Sequence, residues 1–119
     1  MKNKLAFATL LLFALAAVAA DEPVTITGEV VDLHCYTSRG AHGADHAGCS
    51  NACISRDVPA GLLTADGTLY LLLDAKPVAV KEKIAGMAGK TVKATGQLVE
   101  RNGLKALQLA SVELPPAAE

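Results

Sequence analysis

TVKATGQLVERNGLKALQLASV, residues 91–112, is the stretch on which the fold of this chain turns. Thr91 to Glu100 alternates apolar and polar side chains, the period of a strand with one buried face. Asn102-Gly103 supplies the residue types that close a tight hairpin, and Leu104 to Val112 returns as the partner strand. Gly96 falls midway along the first of these strands and marks a bend.

The same grammar recurs upstream. Val24 to Leu33 alternates β-branched and polar residues and reads as a strand, with Gly28 as a bulge or bend. It delivers His34 and Cys35 at its end. Pro59-Ala-Gly61 is a turn, after which Leu62-Leu-Thr and Thr68 to Leu73 flank Ala65-Asp66-Gly67, a second hairpin. Val78 to Met87 places Val80, Ile84 and Met87 at helical spacing, with Gly89 as its stop. The chain is therefore mainly β: five strands, a short helix between strands 3 and 4, and a Cys/His-rich helical insertion after strand 1. That order is the one of a five-stranded OB-fold-like barrel, whose closure removes exposed edges and lets the apolar faces share one core. Residues 21–114 form the single domain, residues 34–58 the insertion within it, and residues 115–119 a tail.

TGEVVD (residues 27–32) and GKTVKATGQLVERNGLKALQLASVE (residues 89–113) resemble the bacterial OB-fold proteins of the periplasm. The cysteine-bearing segment departs from the commoner members, so their function does not carry over. The series D-x-x-C and H-x-x-C-x-x-x-C, here Asp32, Cys35, His46, Cys49 and Cys53, is similar to a set of small exported bacterial domains.

Residues 1–20 read as a Sec-type signal peptide: Lys2 and Lys4, an apolar run from Leu5 to Ala16, then Ala17-Val18-Ala19. The expected compartment is the periplasm or the exterior, with no membrane attachment after cleavage. The chain carries 11 basic and 12 acidic residues, and losing Lys2 and Lys4 leaves nine basic against twelve acidic, a formal charge of −3. A mildly acidic domain with two Tyr and no Trp lacks the basic surface and stacking platforms of a nucleic-acid binder.

All three histidines and all three cysteines lie between His34 and Cys53, in HCYTSRGAHGADHAGCSNAC. Drawn on a helix, His42, His46, Cys49 and Cys53 fall on one stripe, although Gly43 and Gly48 weaken that helix. Cys35, His46, Cys49 and Cys53 make a Cys3His set suited to Zn(II) or Cu(I), with His34 and His42 as alternates. Asp32 is placed to hydrogen-bond a ligating histidine as a supporting carboxylate. Arg39 and Arg56 bracket the segment and have Asp45 and Asp57 as partners in sequence, and Ser38 is a candidate cap.

An odd number of cysteines in an exported chain admits other readings. Cys35 with Cys49 or Cys53 would make a structural disulfide, and the protein would then be a stapled module that binds a protein or peptide partner. A thiol-redox role would need a lowered thiol pKa, and the thioredoxin-like C-x-x-C is absent. Ser38 and Ser50 have histidines nearby but no nucleophile elbow, so hydrolytic catalysis has less support than the thiol readings. The leading expectation is a small exported metal-binding protein in a structural, storage or transfer role. Its partners would be a metal ion and another periplasmic protein, and a spare thiol leaves monomer and covalent dimer both open.

Overall fold

The structure, a computed structural model, describes residues 22–116. The signal-peptide reading of residues 1–20 lies outside them. Five strands run in chain order: β1 Val24–Asp32, β2 Ala60–Leu63, β3 Leu69–Asp74, β4 Thr91–Arg101 and β5 Leu104–Glu113. They close in the spatial order β1-β2-β3-β5-β4, with every pairing antiparallel except β3 with β5. This is the OB-fold-like barrel expected from the alternation and the turns.

Closure depends on β1 serving two partners. Its first part, Val24 to Glu29, pairs with β4, and its last part, Glu29 to Asp32, pairs with β2. Gly28 sits at this changeover, where an added Cβ would lie 2.8 Å from the Leu63 carbonyl oxygen. The β4–β5 register shifts between Thr95 and Gly96. A Cβ on Gly96 would stand 2.0 Å from the Gln108 carbonyl oxygen, so the bulge needs glycine for close approach. The enclosed core holds Val30, Leu62, Leu72, Val92, Leu107 and Leu109, with Ile84 fully buried beside them.

The helix expected over residues 78–87 is reduced to one 3-10 turn, Val80–Glu82. Gly86 adopts a φ of 73°, which ends helical winding before Met87. The apolar spacing still does its work, because Val80 and Met87 pack on the core around Ile84. Met87 and Tyr70 are both partly buried and packed against the core.

The insertion after β1 is helical but not one helix. Helix α1 spans Leu33–Arg39, and helix α2 spans Ala47–Ser55 with a 3-10 turn, Ala44–His46, leading into it. Gly40 (φ 69°) ends α1 and Gly43 (φ 89°) redirects the chain. The insertion is closed at its base by the Leu33 N–H donating to the Pro59 carbonyl at 2.8 Å. It is pinned to the barrel by the Ala88 N–H donating to Asn51 Oδ1 at 3.0 Å. Among the described residues no helix is long and apolar enough to cross a membrane.

Two glycines with opposite surroundings give a test of this packing. Gly96→Ala should cost about 3 kcal/mol through overpacking against the β5 backbone. Gly48→Ala, where nothing lies within 4 Å of the new methyl group, should raise stability by about 0.5 kcal/mol. Urea unfolding of both variants checks the pair, and a neutral Gly96→Ala would contradict the bulge geometry.

Candidate metal centre

Asp32 ends β1 and begins α1. Its backbone is extended, and its Oδ1 accepts from the Cys35 N–H at 2.7 Å, the bond of an N-cap residue. The cap places Cys35 in the first turn of α1, not at a strand end as the sequence suggested. The other oxygen, Oδ2, accepts from the Ser50 hydroxyl of α2 at 2.7 Å. Asp32 has no exposed surface, so one buried carboxylate joins the strand to both helices.

Around this joint the three cysteine sulfurs converge. One ligand atom each from Cys35, Cys49 and Cys53 lies within 4.8 Å of the others, and all three thiols are free. Asp32, Cys35 and His46 form a second group of the same tightness. The two groups share Cys35: His46 is gathered with Asp32 and Cys35, and not with Cys49 and Cys53, so the expected Cys3His set is brought together only in part. His46, Cys49 and Cys53 reach the site from the 3-10 turn and α2, at spacings of three and four residues that keep them on one side.

Two of the six sequence candidates stand apart. His34 is exposed on α1 and belongs to neither group. His42 lies between the helices, where its Nδ1 contacts Glu29 Oε2 at 2.9 Å. The Gly43 N–H donates to the other oxygen of Glu29, so this strand carboxylate straps the inter-helix link to the barrel. Tyr36 meets the His42 ring edge-on, with centroids 5.8 Å apart.

Arg39 also departs from the expected pairing. Its Nη2 donates to Cys35 Sγ at 3.3 Å, while Asp57 pairs with Lys81 at 2.7 Å. Ser38 caps nothing, and its hydroxyl donates to the His34 carbonyl at 2.7 Å. Ser50 and Asn51 are the site's supports that the sequence reading passed over. Both lie off the ligand stripe of α2 and turn toward Asp32 and Ala88.

The electrostatics follow from burial. Burial pushes the Cys35 thiol up from its ordinary value, and the neighbouring Asp32 adds to this, while the Arg39 guanidinium pulls the other way without prevailing. Burial also raises the Cys53 thiol, helped by Cys49 beside it. Burial opposes ionisation of Asp32, yet hydrogen bonds from the Cys35 N–H and Ser50, with the His46 charge, hold its carboxyl below the usual value. The His46 Nε2 is buried without a hydrogen-bond partner, 3.5 Å from Asp32 Oδ2. Raised thiols are the reverse of what a thiolate nucleophile needs. The buried His46 ring nitrogen thus makes no hydrogen bond and has the Asp32 carboxylate as its charged neighbour, an arrangement compatible with a metal ligand.

No family model matches the chain, and comparison with curated proteins and with solved structures gives no match either.

Asp32 carries a stability test in the metal-free protein. Because its carboxyl is depressed in the fold, its contribution is present above the ordinary value of 3.8 and is lost as pH falls through the lower native value. Asp32→Ala removes a cap and leaves Ser50 and the Cys35 N–H unpaired, which should cost about 2–4 kcal/mol near neutral pH. Denaturant unfolding of Asp32→Asn and wild type across pH 2–7 should converge toward the acid end, and a constant gap would refute the assignment.

Proposed function

We infer that this is an exported metal-binding protein that holds one Zn(II) or Cu(I) ion through Cys35, Cys49 and Cys53, with His46 as the fourth donor. The observation that carries the reading is the meeting of three free thiols within 4.8 Å, from two helices held by one buried carboxylate. The buried Nε2 of His46, without a hydrogen bond and grouped with Asp32 and Cys35, supports it independently. Three thiolates and an imidazole fill a tetrahedral Zn(II) site, whereas the thiolates alone suit trigonal Cu(I). Charge favours Zn(II): on the same donors it leaves one fewer negative charge than Cu(I), in a place already containing Asp32. Arg39, against Cys35 Sγ, offsets part of what remains.

The same sulfur proximity also favours a second reading, a disulfide from Cys35 to Cys49 or Cys53 that staples α1 to α2. Under it the protein is an interaction module for a protein or peptide, with one thiol to spare.

Native mass spectrometry of the exported form, purified without chelator or reductant, separates the two. A mass raised by one metal ion, with alkylation only after metal removal, is the expected result. A metal-free chain two hydrogens lighter would sink the metal reading in favour of the staple. Cys35→Ser, which removes the residue common to both triads, should lose the ion, while His34→Ala should keep it. Because the Cys35 and Cys53 thiols are raised, binding must displace their protons, so affinity should rise steeply with pH. A flat pH profile measured by competition with a chromogenic chelator would contradict thiolate ligation.

A further inference from the structure

The three sulfurs are not equally placed: Cys35 is buried, Cys53 half-buried and Cys49 exposed. Around Cys49 the surface is open. Gly48 has nothing within 4 Å of where a side chain would begin, Ala44 and Asp45 are exposed, and Ala47 to Cys53 contains no long side chain. Cys35, by contrast, is covered by the cap and by Arg39. Any incoming ligand therefore meets the site at the Cys49 corner.

Resting on the metal-site reading above, we propose that Cys49 is the exchange ligand through which the ion passes to or from a partner bearing a thiolate. The step is a ligand substitution without change of oxidation state. The partner sulfur, as thiolate, forms a bond to the ion, the bond from the ion to Cys49 Sγ breaks, and Cys49 takes up a proton from solvent. Cys53 and then Cys35 are displaced in order of burial, or gained in the reverse order on loading. The exposed corner fits a transfer role and not a purely structural one, for which burial of every ligand would serve better.

The test uses native mass spectrometry on the exported form, loaded with whichever ion its own mass identifies. Two thiol partners are compared. Glutathione represents a small-molecule carrier, and a peptide with two cysteines separated by two residues represents a protein carrier. The expected observation is a ternary species of protein, one ion and one partner. It should be a minor species in wild type and the dominant one in Cys49→Ser, where the partner sulfur fills the vacant position. Cys53→Ser should show it less, and Cys35→Ser should lose the ion. A ternary species with glutathone-sized mass alone assigns small-thiol exchange, and one with the peptide alone assigns a protein carrier.

Metal-loaded wild type that releases its ion all-or-none, with no ternary species in Cys49→Ser, would overturn the exchange role while leaving the site standing. Equal ternary species in Cys49→Ser and Cys53→Ser would overturn the assignment to Cys49. A wild type that carries no ion would bring down the site and this inference together. Circular dichroism of each variant confirms that the comparison is between folded proteins.

Discussion

The buried carboxylate of Asp32 is the joint on which the insertion depends. A carboxylate with no exposed surface is costly unless its oxygens are satisfied, and here each oxygen serves a different element. Oδ1 holds the first turn of α1 through the Cys35 N–H, and Oδ2 holds the middle of α2 through Ser50. Both helices are short, seven and nine residues, and below the length at which a helix is stable alone in water. Their mutual position is therefore set by contacts to the barrel, and the most buried of these ends at Asp32.

That joint also decides the chemistry. Capping α1 with the last residue of β1 turns Cys35 inward, and the bond from Ser50 rotates α2 so that its neighbours Cys49 and Cys53 approach Cys35. The acid beside the thiols resists their ionisation, and Arg39 opposes this by donating to Cys35. Raised thiols beside an acid are the reverse of an activated nucleophile. Under the metal reading proposed above, a bound cation would compensate the negative charge that the thiols acquire as they lose their protons.

How much of this could be read from the sequence differs between barrel and site. The barrel was legible because alternation with period two, the Asp66-Gly67 and Asn102-Gly103 turns and the bending glycines all state the same thing locally. The clustering of Cys35, His46, Cys49 and Cys53 was legible from composition alone. What was not legible is the path between them. The run Val30-Val31-Asp32-Leu33 looks like strand to its end, and only the capping preference of Asp32 hints that a helix starts there. The helix drawn through His42 was already weakened on paper by Gly43, and in the structure the positive φ angles of Gly40 and Gly43 break it. His42 went with the break, to Glu29, while His46 kept its place because the turn that holds it runs directly into α2. Ser50 was invisible because a ligand stripe names the residues that meet the metal and not the one that holds the helix against the strand.

The barrel closes without help from the site. Its core residues come from the strands, with Ile54 of α2, Ile84 and Ala88 lying against them. The two parts are linked by the Asp32 bonds, the Asn51 bond to Ala88, the Glu29 contacts with His42 and Gly43, Ile54 on the core, and Gly89, where an added Cβ would lie 2.7 Å from that of Ala47. The segment Ala47 to Cys53 is made of small side chains, so it buries little apolar surface and gains little from packing. An ion bound by the three thiols would cross-link α1 to α2 where packing is weakest. It would order the insertion without being required for the fold, which separates this arrangement from small metal domains that unfold when the ion leaves. If the ligand set proposed above holds an ion, its mounting on a closed barrel, with one sulfur at the surface, would let the ion leave without loss of the fold. That property is the structural requirement for a site that is filled and emptied more than once.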